Sequence, residues 1–277
     1  MRSPLLSSSF CGILAFLWLA SGCAQEARTS ANETNSAVLE WSGVWNPSQN
    51  SIEWKRADAI VERGHALGLK YSGLYSPRKR EVQWVRAELG ELDGQLLSRP
   101  VTMVLNLSSG EIEQRTAEST LVAVGDRREV LILQYQGVYD GSRRGIDWRK
   151  DELRLISGRW VAMGFAGVYD PMTRRVLWQQ AELDFWRGTP VVLPQSGSFN
   201  EQSRLVEWRT ADLQFKPGGE EVLVLPFTGV YNPYLRAVEW MRADVWVDGE
   251  DVRVLPYAGV FDSRLKKVEW RKAEPLR

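Results

Sequence analysis

The chain has one histidine and two cysteines in 277 residues, and its lysines and arginines are balanced by its aspartates and glutamates, 35 against 35. Each shortage excludes something. His65 lies beside Gly64 in a turn, where a lone imidazole is ordinarily solvated, and one histidine cannot build a histidine-rich metal cluster or a convincing Ser-His-Asp arrangement. Cys11 and Cys23 both fall near the N-terminus, which leaves the rest of the chain without a thiolate nucleophile, disulfide or cysteine-bound metal. The interspersed charges give no reason to expect a nucleic-acid partner. No stretch beyond residue 23 carries a persuasive helical stripe, so no helix is available to follow a phosphate-binding glycine loop.

What the chain does have is a unit of about thirty residues, written eight times from Trp41 to the C-terminus. Clear copies read Gly167-Val168-Tyr169-Asp170-Pro171 followed by Val176, Trp178, Ala181 and Glu182, and Gly229-Val230-Tyr231-Asn232-Pro233 followed by Val238, Trp240, Ala243 and Asp244. Others start at Gly43, Gly73, Gly137, Gly197 and Gly259, and a worn copy runs through Met103, Asn106, Ile112, Gln114 and Ala117.

An apolar run and an aromatic flank each glycine, which marks a strand. Asn-Pro or Asp-Pro then supplies turn chemistry, because Pro presets one dihedral and the Asx side chain bonds back to the backbone. Pairing Asn232 with Ala237 across the turn sets Tyr231 against Val238 and Gly229 against Trp240. A large aromatic directly across from a strand glycine covers the missing side chain. The copy that has Met103 in place of the glycine also has Gln114 in place of the tryptophan, so the two positions vary together within one chain.

Beyond the tryptophan the apolar alternation shifts by one place, and a β-bulge at the usually polar pair (Lys55-Arg56, Arg149-Lys150, Arg271-Lys272) is expected to absorb the odd residue. Gly-containing reversals such as Asp248-Gly249 and Asp93-Gly94 return the chain to the next unit. Ala57 to Leu69 is read as strand, despite a weak helical pattern. The expected fold is all-β: an up-and-down antiparallel meander of about eight β-hairpin repeats, elongated or curled as a single sheet, with a closed β-barrel as the alternative. Its polar face is expected to be wet and crossed by ion pairs.

The carboxylates recur: Glu53, Glu207, Glu239 and Glu269 at one position of the unit, Asp58, Glu88, Glu182, Asp212, Asp244 and Glu274 at another. Copying in unit after unit speaks for a structural duty, since the two carboxylates of a glycosidase-type site are singular. Asp140, Asp170, Asn232 and Asp262 are read as turn caps and not as calcium ligands. The expectation is a non-enzymatic protein with no catalytic residue, metal or cofactor. The repeated tryptophans are assigned to packing. Trp45, Trp160, Trp186 and Trp246 are less accounted for and form the candidate binding face.

Arg2 and an apolar stretch from Phe10 to Ala20, too short to span a bilayer permanently, have the form of a secretory signal over residues 1–22. The stretch ends Leu19-Ala20-Ser21-Gly22-Cys23, which resembles the lipobox of bacterial lipoproteins, with Ala20 where leucine is commonest. The resemblance implies a palmitate-bearing, acylated Cys23 that binds the membrane, and Ala24 after it implies an outer-membrane location, facing the periplasm or the cell surface. Residues 23–39 then form the lipidated cysteine and a flexible tether, and residues 40–277 form the repeat domain. The hairpin units themselves weakly resemble MORN-type repeats, which implies a scaffold with one aromatic face. Three functions follow as expectations: an envelope scaffold or protein-interaction surface, a carrier of lipid or another amphiphile, and an outer-membrane barrel.

Overall fold

The computed structural model describes residues 37–276 apart from 63, 125–126, 217–221 and 250. Every regular element among them is a strand, and all sixteen ladders are antiparallel and two-stranded. In the first unit Trp41–Asn46 pairs with Ser51–Arg56 to make an upper hairpin, and Asp58–Glu62 pairs with His65–Leu69 to make a lower one. The meander of hairpin repeats is therefore as expected, and Ala57 to Leu69 is strand and turn. The hairpins, however, join into neither a single hydrogen-bonded sheet nor a hydrogen-bonded barrel.

The register of the upper hairpins is the one the glycine and tryptophan require. Asn232 pairs with Ala237, Tyr231 with Val238 and Gly229 with Trp240, and in the worn unit Met103 pairs with Gln114. Turn capping holds as well: Asn46 Oδ1 accepts from the Ser48 amide at 2.9 Å, Asn232 Oδ1 from Tyr234 at 3.0 Å and Asp262 Oδ1 from Arg264 at 2.8 Å.

The expected bulge is absent. Ser42 pairs with Lys55 and Trp41 with Arg56 in unbroken register. The break comes one residue later, where the Ala57 amide donates to the Glu40 carbonyl at 2.8 Å and the strand leaves its partner. It then pairs with His65–Leu69, and the pleat starts afresh against a different strand. The same closing bond joins Ala87 to Lys70, Ala211 to Pro194 and Ala243 to Pro226. A small residue fits this crossing because the side chain is buried where two inner strands diverge; Ala57, Ala87 and Ala243 are all at most 5% exposed. The residue that supplies the carbonyl needs no amide of its own there, so Pro100, Pro194, Pro226 and Pro256 are tolerated.

Partner exchange has an architectural result. Each outer strand pairs with the upper inner strand of its own unit and then with a lower inner strand that runs on into the next unit, as Leu69 runs through Lys70 to Tyr71. Adjacent units are thereby stapled through the backbone.

Side chains complete the stacking, because the polar face of each upper hairpin lies against the aromatic face of the next. Ser42 Oγ donates to the Tyr71 carbonyl, Thr102 Oγ1 to that of Tyr135 at 2.5 Å and Thr228 Oγ1 to that of Tyr257 at 2.7 Å. A Cβ built on Gly197 would lie 2.4 Å from the Trp208 ring of its own hairpin and 2.8 Å from Val168 Cγ2 of the preceding one. Glycine therefore allows both a ring across the ladder and a neighbouring hairpin close above it.

The array closes. The N-terminal strand Val38–Leu39 supplies the lower inner strand of the last unit by pairing with Glu274–Pro275, and the Leu276 amide donates to the Ala37 carbonyl at 2.7 Å. Val38 and Leu39, assigned from sequence to the tether, are thus part of the fold. In the upper tier Trp41–Asn46 lies beside Tyr257–Asp262, and the Arg271 guanidinium stacks over Trp41 and Trp54 of the first unit at 4.4 and 4.8 Å. The result is a ring of eight units in two tiers, closed by packing and by one short ladder. Its inner strands run in the same direction, as the pairs Ser42 with Tyr71 and Ser48 with Tyr75 show, so all eight upper turns gather at one end.

Candidate functional site

The outer wall of the upper tier is a repeated cation and aromatic contact. Lys55 sits over Tyr71 and Trp84, Arg115 over Tyr135 and Trp148, Arg149 over Phe165 and Trp178, and Arg209 over Phe227 and Trp240, all within 4.7 to 5.5 Å of the ring centroids. The cation belongs to one unit and both rings to the next. Where the next unit has Val101 and Gln114 in place of the rings, the preceding unit carries Val85, and where it has Gln195 the preceding unit carries Gln179. The basic residues expected to cross a wet face in ion pairs are, at this position, lids on the neighbour's aromatics.

The recurring carboxylates are joints between units. Asp58 accepts from Tyr71 Oη at 2.9 Å and pairs with Arg86 at 2.9 Å, both of the following unit. Glu118 repeats this with Tyr135 and Lys150, Asp244 with Tyr257 and Lys272, and Glu274 with Trp41 and Arg56 across the seam. Hydrogen bonding to Arg86 holds the Asp58 carboxyl below its usual range, and the Tyr135 hydroxyl does the same for Glu118. Burial, with the Asp244 bond second, pushes the Tyr257 phenol up to about 12. The other series binds inward: Glu53, Glu207 and Glu239 each accept from the side-chain amide of the turn Asn at 2.6 Å. Asp147 accepts the indole N–H of Trp178 at 3.0 Å.

Asp151 breaks the pattern. It occupies the crossing that holds Ala in the other seven units, and it accepts from the Gln134 amide at 2.9 Å. Burial pushes its carboxyl up to about 6. The folded state therefore holds the proton more tightly than the unfolded chain, and stability falls as pH rises from about 4 through about 6. The loss amounts to about 3 kcal/mol at most for a shift of this size. Asp151→Asn keeps the acceptor and removes the titration, so the stability of the variant relative to the parent, read from urea midpoints, is expected to be higher at pH 7 than at pH 4.

The four tryptophans of the candidate face do not converge. Trp45 is 7% exposed in the upper tier of the first unit, where other units carry Tyr75, Tyr139 or Tyr169. Trp160 faces Leu155 across its ladder, Trp186 faces Thr189 and Trp246 faces Arg253, all in the lower tier. Trp186 stacks on Phe215 of the following unit at 4.5 Å, and its buried indole nitrogen has no partner in the structure. The outer strands of the lower tier present Leu155, Phe185, Phe215 and Val247 at the same register position in four successive units, each at least half exposed. Sequence reading did not single these residues out as an exposed set.

His65 opens the lower inner strand of the first unit opposite Glu62. Among the described residues no group of three or more His, Cys, Asp or Glu is placed to hold a metal ion, and no helix is long and apolar enough to cross a membrane. The signal segment and Cys23 lie outside the described residues. An open depression at the seam is lined by Leu39, Arg56, Ala57, Asp58, Ile60 and Arg86, with Asp58 already committed to Arg86 and Tyr71. The chain matches no protein-family model, no curated protein and no solved structure.

Proposed function

We propose that the protein is a non-enzymatic lipoprotein of the bacterial envelope, held at the outer membrane through an acylated Cys23 and acting as a β-repeat scaffold. The observation that carries the scaffold reading is the sealing of the aromatic faces. Each Gly, Trp and Tyr face is covered by the polar face of the preceding unit, with Val168 on Gly197 and Arg209 on Trp240 as examples. A carrier of amphiphiles needs an open greasy surface for its cargo, and in the upper tier that surface is occupied by the protein itself. The recurring carboxylates support the same reading, because Asp58, Glu118 and Asp244 are engaged between units and Glu53, Glu207 and Glu239 by the turns of their own hairpins. The exposed Leu155, Phe185 and Phe215 of the lower tier, the last packed on Trp186, offer the protein-interaction surface.

The test combines two measurements. Alkyne-palmitate labelling in a Gram-negative host is expected to mark the parent chain and not Cys23→Ser. Native mass spectrometry of residues 23–277 carrying Cys23→Ser is expected to return the polypeptide mass alone. Absence of label from the parent removes the lipoprotein, and a lipid that stays bound until denaturation replaces the scaffold by the carrier.

A further inference from the structure

The ring gathers its eight upper turns at one end, and the fourth residue of every one of those turns has a left-handed backbone. The angle φ there is 52° at Asn50 and 72° at Gly110, residues suited to that conformation. The other six turns place Arg80, Arg144, Arg174, Arg204, Arg236 and Lys266 in it, with φ between 53° and 57°. A long cationic side chain is a poor choice for this backbone, and glycine is a good one that the chain itself uses. The lower turns also have left-handed residues, but there they are Asp93, Ser157 and Arg187, each followed by glycine; six cations at one equivalent position of one end point to a use for the side chain.

What surrounds these cations narrows the use. Among the described residues no ion pair engages Arg144, Arg174, Arg204 or Arg236. Three of the turns that carry a cation also carry apolar tips: Met172, Tyr234, Leu235 and Leu265 are 54%, 64%, 59% and 44% exposed. Lys266 reaches across to the Tyr234 ring of the preceding turn at 5.2 Å, which ties two neighbouring turns together. One arc of the ring, from the fourth unit to the eighth, thus presents fixed positive charge interleaved with exposed apolar and aromatic side chains. Zero net charge over the whole chain conceals this: Asp58, Glu118 and Asp244 are spent between units, and Asp140, Asp170 and Asp262 accept from backbone amides of their own turns.

We infer that this arc is a docking surface for an anionic lipid bilayer, with the turn arginines on lipid phosphates and the apolar tips at the headgroup boundary. Charge complementarity supplies the attraction, which acts within a Debye length of the lipid surface. The apolar tips favour a bilayer over a nucleic acid, whose backbone offers them nothing to enter. The inference concerns the folded ring alone and holds whether or not Cys23 is acylated.

The experiment uses residues 23–277 with Cys23→Ser, so that no acyl chain contributes, and sedimentation with vesicles of phosphatidylglycerol and phosphatidylethanolamine. Binding is expected at low salt, weaker at high salt, and absent with phosphatidylcholine vesicles. Replacing Arg144, Arg174, Arg204 and Arg236 together by Gly is expected to weaken binding by at least about tenfold, while the thermal midpoint stays level or rises because glycine relieves the backbone. Replacing the same four by Lys is expected to keep binding, which separates charge from folding. Failure of the parent to bind anionic vesicles, binding to heparin without binding to vesicles, or a folded Gly variant that binds like the parent would each overturn the inference.

Discussion

Gly197→Met is expected to unfold the protein at markedly lower urea, at a cost of about 3 kcal/mol or more, and Trp208→Gln is expected to cost clearly less when added to it than when made in the parent. The Cβ alone would sit 2.4 Å from the Trp208 ring and 2.8 Å from Val168, so the new side chain meets resistance on both sides. The ring can be removed by substitution, and the worn unit displays the result, since Met103 faces Gln114 there and is 8% exposed. The sixth unit is the right host for the test. The residue before it that caps other rings is Gln179, so removing Trp208 strands no cation. Trp208→Gln by itself is expected to cost several kcal/mol from lost burial. The informative quantity is the coupling between the two positions, expected to be about 2 kcal/mol in favour of the pair. Additive losses would show that glycine and tryptophan do not answer to each other.

The second large effect is at the seam. Beginning the chain at residue 40 removes Val38–Leu39, and with it the partner of Glu274–Pro275 and the buried Leu39 side chain, which is 5% exposed. Losing a buried leucine costs roughly 2–5 kcal/mol before the ladder is counted, so a fall of about 5 kcal/mol is expected, together with a less cooperative transition. The converse test locks the seam. Val38 and Pro275 are direct cross-strand partners, and Val38→Cys with Pro275→Cys, in a Cys23→Ser background, places two thiols across the pair. Oxidation is expected to add about 2–4 kcal/mol relative to the reduced form. If truncation leaves the urea midpoint unchanged, the ring does not depend on its N-terminal strand.

Much of this was readable before any coordinates. The turns followed from Asn-Pro and Asp-Pro, and the pairing of Gly229 with Trp240 followed from turn length together with the joint loss at Met103 and Gln114. Those signals are local, and a hairpin is a local structure. The crossing at Ala57 was not readable in the same way. A one-place shift in apolar alternation is produced equally by an extra residue in one strand and by a change of partner, and no residue near Lys55-Arg56 distinguishes them. The wet polar face failed for a different reason. Ser42, Arg149 and Asp147 are polar by type, yet the hydroxyl and the carboxylate bond to the next unit and the guanidinium lies flat on its rings. A single strand's pattern tells which face is polar and not what that face meets. The four tryptophans of the candidate face likewise shared irregularity in sequence without sharing a place in the ring. The strained arginines escaped notice because they sit one per unit, and their backbone angle has no signature in residue type.

The seam also decides how the ring bears mechanical load. Any pull delivered through the chain ahead of Ala37 reaches the ring at the strand that closes it, where two residue pairs and the Leu276 bond stand against the force. Every other junction is an inner strand continuous in covalent bonds from one unit into the next, as Leu69 runs into Tyr71. Tension should therefore open the circle at one predetermined point and leave a strip of stapled hairpins, giving the molecule a fuse whose rating is set by Val38, Leu39, Glu274 and Pro275.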